Sequence, residues 1–243
     1  MHGFLNGFYI NVMQFFVIGT ILILIALNRK SLNQLYAALL LIPLIFLDTA
    51  LLSVIANYIF YKNSTLNFTG KFLEILWPLV LVFVFKLISP KEIGLKLPLD
   101  KMQLLYGVMV GSFMAILFFN IEKIWFVDLL PKNPTTIGTL VFEFLMPGLS
   151  EELVYRGVFL AILNRYLGYS WKLFNIQFGW GIVLVTILFV MAHDIVWIGN
   201  VAGIIELIVM ALVYGFFREK TNSIWPSVFC HSFANGVYYL LLF

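Results

Sequence analysis

Between residues 35 and 60 the chain carries a single charge, Asp48, in an otherwise uncharged and mostly apolar run. Backbone lying in lipid must satisfy its own hydrogen bonds, and a helix of ~20 mostly apolar residues does so while crossing the hydrocarbon core. Counting that run, eight stretches have this character: residues 8–27, 35–60, 72–88, 104–120, 139–163, 180–198, 201–217 and 224–242. The breaks between them are polar or carry Pro and Gly, as in Asn28-Arg29-Lys30, Ser89-Pro90-Lys91-Glu92 and Pro131-Lys132-Asn133-Pro134. Only Gly199-Asn200 separates the sixth span from the seventh, so that junction is either a tight turn or a break within one buried segment.

Composition supports this reading. Hydrophobic residues make up 62% of the chain and charged residues 11%, against about 25% charged in a soluble domain. The expected fold is all-α: a polytopic membrane helix bundle of about eight spans around a central polar cavity. It forms a single integral membrane domain over residues 1–243, with four spans in 1–138 and a motif-bearing core in 139–243. The start, Met1-His2-Gly3-Phe4, has no basic region, so it reads as a retained first span. The net charge of +3 lies in short loops, with no basic-aromatic surface, and no nucleic-acid partner is expected. The lone Cys230 excludes an intrachain disulfide. Ten Lys and Arg fall in odd-numbered loops and four in even-numbered ones, which puts the odd loops in the cytoplasm. Gly107-x-x-x-Gly111 and Gly199-x-x-x-Gly203 are spaced for close helix approach.

Against this background Glu151, Glu152 and Arg156 stand out. Ionisable residues at bilayer depth are costly and mark functional positions. On an α-helix Glu152 and Arg156, four apart, share one face as an acid–base pair. Glu151 points about 100° away from Glu152 and is the acid left over. Two histidines lie within later spans, His193 in the sixth and His231 in the eighth, and His231 shares a face with Asn235. Asp48 and Glu206 are isolated acids inside spans, each of which faces either a water-filled cavity or a basic or backbone partner.

If the three helices converge, the set suits activation of water for hydrolysis. A carboxylate and an imidazole bind the water and take its proton. A second imidazole and an amide donate to the oxyanion that forms. The same set also suits a divalent metal such as zinc, with Glu151, His193 and His231 as ligands and water in the open position. The residues do not require one, and the His-Glu-x-x-His pattern is absent. Ser150, Ser232 and Cys230 adjoin these residues but point to other helix faces.

Glu151-Glu152-Leu153-Val154-Tyr155-Arg156-Gly157, Phe189-Val190-Met191-Ala192-His193 and His231-Ser232-Phe233-Ala234-Asn235 occur in that order, each in a separate late span. The pattern resembles the CPBP family of intramembrane CAAX prenyl proteases, bacteriocin-processing and self-immunity proteins, and abortive-infection proteins. The resemblance covers roughly residue 139 to the C-terminus. It implies a helical bundle with a conical cavity and endoproteolysis in or at the membrane. By that resemblance Glu151 and His193 activate the water, His231 and Asn235 form the oxyanion site, and Glu152 with Arg156 holds the first motif in place. The implied partners are membrane lipid and a prenylated or membrane-associated peptide. Asp194, directly after His193, departs from the simple pattern. The compact loops lean towards a prokaryotic member in the cell membrane; a eukaryotic member would sit in the endoplasmic reticulum. The competing reading is a non-proteolytic scaffold or bacteriocin-immunity protein of the same fold. A transporter built from repeats should show matching halves, and none is evident.

Overall fold

The computed structural model describes residues 13, 16–17, 19–21, 23–24, 32–49, 66–97, 99–126, 130, 135–193 and 200–243. The described residues are all-α apart from one short hairpin. In chain order the elements are α1 (Asn33–Thr49), α2 (Phe68–Phe83), α3 (Lys101–Trp125) and α4 (Ile137–Glu152). There follow a π-helical segment (Leu153–Phe159), α5 (Leu160–Leu167), strands β1 (Trp171–Leu173) and β2 (Ile176–Phe178), α6 (Trp180–Met191), α7 (Val201–Thr221) and α8 (Trp225–Leu241). Most of the first expected span and the second half of the second lie outside the described residues, as do Asp194 and Gly199.

Helices α3 and α7 are long and apolar enough to cross a membrane. Along α3, Met109, Phe113, Ile116 and Ile124 are exposed. Lipid is the solvent that makes an apolar outer face stable. Helix ends follow local chemistry. Asp100 caps α3 by accepting from the N–H groups of Met102 and Gln103. Thr136 and Thr139 close a reciprocal capping box at the start of α4. Asn200 caps α7 by accepting from Gly203 N–H, so the described chain re-enters helix just after the 199–200 break.

Helix α8 is packed by α3, α4 and α7. Its closest neighbour is α3, because two glycines let the backbones touch. A Cβ placed on Gly111 would stand 2.1 Å from the Cys230 carbonyl oxygen, and one on Gly107 would stand 2.5 Å from that of Pro226. Both obstacles are backbone atoms, so neither can swing aside. Gly111→Leu is therefore expected to destabilise the fold by about 1–3 kcal/mol through overpacking, seen as a lowered thermal midpoint in detergent. An unchanged midpoint would show that the two helices do not meet at this glycine.

The rod from Ile137 to Leu167 is irregular at its middle. Pro147 lies inside α4 and cannot donate its backbone N–H. Six residues later the helix widens to a π-helical turn, with Leu160 N–H reaching the Tyr155 carbonyl. π-segments are rare and concentrate at functional sites. Both irregularities flank Glu151 and Glu152. All seven residues of the π-segment are buried.

The hairpin was not expected from sequence. β1 and β2 pair antiparallel with Trp171 opposite Phe178, and the turn residues Phe174 and Asn175 both have positive φ. That geometry matches the twist of a two-residue hairpin turn, which ordinarily draws Asn or Gly.

Candidate active site

Glu151 and Glu152 end α4, and the wide turn after them sends their side chains to different partners. Glu152 is fully buried. Its Oε1 accepts from Arg156 Nη1 at 3.0 Å and from His231 Nδ1 at 2.9 Å. The π-turn leaves residues four apart on one side of the rod, so the Glu152–Arg156 pair forms as the α-helical spacing predicts. Arg156 also donates from Nη2 to the Ala211 carbonyl at 2.9 Å, and its guanidinium lies 4.3 Å from the centre of the Phe189 ring. One buried carboxylate and one buried guanidinium thus tie the rod to α6, α7 and α8.

Glu151 differs from the sequence expectation of an unpaired acid. Its Oε1 accepts from Lys71 Nζ at 2.7 Å, and Lys71 also donates to Glu74 Oε2 at 2.8 Å. Its Oε2 is buried and has no hydrogen-bond partner, and stands 3.9 Å from His231 Nε2. Glu151 therefore has one oxygen held and one open.

The two imidazoles are fixed by their other nitrogens. His193 sits in the turn just past α6, with Nδ1 2.7 Å from the Phe189 carbonyl. A carbonyl only accepts, so Nδ1 carries the proton, and in the neutral ring Nε2 is a bare acceptor. His231 likewise gives its Nδ1 proton to Glu152, and its ring stacks on Tyr214 at 4.7 Å and 12°. Asn235, one turn further along α8, donates one amide N–H to Glu143 Oε2 at 3.1 Å. Its second N–H is available.

A cavity of about 210 Å3 is lined by Glu151, His193, His231 and Asn235 together with Glu143 and Glu206. The four residues assigned to chemistry from sequence thus share one cavity wall, while Glu152 and Arg156 lie behind it. That volume is below the ~300–1,000 Å3 of ordinary ligand pockets. Glu206 sits by Glu122, which accepts from Tyr238 Oη. Asp48 lies away from the cavity and accepts from Trp77 Nε1 at 2.8 Å.

Among the described residues no three His, Cys, Asp or Glu side chains form a group able to hold a metal ion. Lys71 holds Glu151 Oε1 and Glu152 holds His231 Nδ1, which leaves Glu151 Oε2 and the Nε2 atoms of the two histidines without those partners.

Three residues of the site were missed from sequence. Starting the third span at residue 72 placed Lys71 in a loop, one residue outside it, whereas the helix begins at Phe68 and contains Lys71. Glu74, three residues on, was a readable signal: an i,i+3 cation–acid pair in an apolar run. Glu143 was readable as a further acid two turns before Glu151.

Residues 133–237 match the family model described as type II CAAX prenyl endopeptidase Rce1-like. Comparison with curated proteins and with solved structures gives no match.

Proposed function

With residues 133–237 matching the family model described as type II CAAX prenyl endopeptidase Rce1-like, we propose that this chain is an intramembrane endopeptidase whose water is activated by Glu151 and His193. The observation that carries this reading is the open, buried Oε2 of Glu151 on a cavity wall shared with His193, His231 and Asn235. A water seated there donates one hydrogen bond to Glu151 Oε2 and the other to His193 Nε2. Its oxygen attacks the carbonyl carbon of the scissile bond, and its proton passes to that carboxylate–imidazole pair. The carbonyl oxygen becomes an oxyanion, which accepts from the free N–H of Asn235 and from His231 Nε2 when the ring carries both protons. Collapse breaks the C–N bond, and the stored proton leaves on the departing amine. Glu152 and Arg156 take no part in these transfers; they hold His231 and the rod in register.

The substrate is a membrane-associated or prenylated, CAAX-type peptide reaching the site from lipid. The chain is read as multi-pass, with about eight spans. The direct test incubates purified protein with a farnesylated CAAX peptide and with unmodified membrane peptides, with Glu151→Gln as control. Cleavage by wild type alone supports the reading. Binding without cleavage of any peptide would favour the scaffold alternative.

Metal removal gives a second expectation. Because Lys71 supplies the cation beside Glu151, exhaustive chelation should leave the cleavage rate within about twofold, since nothing in the residue-only mechanism leaves with the metal. Loss of activity on chelation with return on adding zinc would overturn the residue-only mechanism.

A further inference from the structure

Lys71 has a surrounding that a loop lysine would not have. Its ammonium sits 2.8 Å from Glu74 Oε2 and 2.7 Å from Glu151 Oε1, and the three side chains are 14%, 1% and 13% exposed. Helix α2, which carries Lys71 and Glu74, packs on α4, and an edge-on contact of Phe68 with Phe142 at 4.9 Å pins its first turn there. A buried carboxylate is costly unless paired, so Glu74 is best explained by what it holds. It fixes Lys71 from one side while Glu151 is met from the other.

The consequence falls on Glu151. A carboxylate has two equivalent oxygens and can turn about its terminal torsion. Lys71 takes one oxygen and leaves the other, Oε2, buried without a partner. We propose that Lys71, held by Glu74, is the positioning residue of Glu151: its ammonium orients the carboxylate and supplies from α2 a fixed positive charge beside it. This rests on the endopeptidase reading and deepens it. It also makes α2 part of the site, since Lys71 lies outside the family-matched segment 133–237.

The test uses the full chain in detergent as wild type, Lys71→Met and Lys71→Arg. Infrared difference spectra taken against Glu151→Gln report the Glu151 carboxyl without any need for turnover. Wild type and Lys71→Arg are expected to share one set of carboxylate bands, and Lys71→Met to show that set displaced, as loss of the ion pair to one oxygen requires. On a cleaved peptide, kcat of Lys71→Met should fall about 100-fold, the scale of a misplaced catalytic group, with KM within about threefold. Lys71→Arg should recover about tenfold of that loss. If Lys71→Met does not fold, Glu74→Gln replaces it, with a smaller kcat loss and the same constancy of KM expected. An unchanged carboxylate band and unchanged kcat in the folded variant overturn the proposal. A wild type that cleaves nothing while the band still depends on Lys71 would sink the endopeptidase reading and leave the ion-pair assignment standing.

Discussion

Glu151→Gln is expected to lower turnover by at least about 10³-fold while leaving the protein folded. A positioned general base contributes roughly 10²–10⁴-fold, and here the same group also seats the water. Glutamine keeps the side chain's size and one oxygen that Lys71 can still reach, and Lys71 retains Glu74 at 2.8 Å. What is lost is the charge and the open acceptor on the cavity wall. Steady-state cleavage of a membrane peptide, with the thermal midpoint measured in parallel, checks both halves. A variant that cleaves within tenfold of wild type would remove Glu151 from the chemistry.

Arg156→Ala is expected to act on stability first. Arg156 is fully buried and pairs with a fully buried Glu152. Removing one partner of a buried pair costs about 3–5 kcal/mol, because the other charge is left uncompensated. Glu152 Oε2 already lacks a partner, and its Oε1 would keep only His231. The loss of the bond to the Ala211 carbonyl and of the stacking on Phe189 adds to this. The thermal midpoint should fall by roughly 10 °C. Lysine at this position should not restore it, since an ammonium cannot make the planar fork of contacts. A melting profile equal to wild type would mean the pair does not hold the rod.

The two variants separate the roles of adjacent acids. Glu151 faces the cavity and Glu152 faces the protein. The division follows from the direction each side chain takes off the helix, and it is visible in the partners: Lys71 and an open oxygen for the first, Arg156 and His231 for the second.

Much of this was determined by the sequence alone. Period, length and apolarity set the helices, because lipid allows backbone no other economical hydrogen bonding. Helices α2, α3, α7 and α8 begin and end within a few residues of the expected apolar stretches, α6 stops earlier, at Met191, and the expected end of the second stretch lies outside the described residues. The Glu152–Arg156 pair was legible because spacing along one helix fixes which side chains meet. Tertiary structure decided the rest. Whether His193, His231 and Asn235 share a wall with Glu151 depends on how α4, α6 and α8 pack, which no local pattern encodes. The hairpin escaped notice because Phe174 occupies a positive-φ position that sequence reserves for Asn or Gly. Lys71 is 80 residues from Glu151 in the chain and Glu74 three residues nearer; only packing of α2 on α4 brings that cation to the carboxylate, and a charge is placed by distance in space, not in sequence.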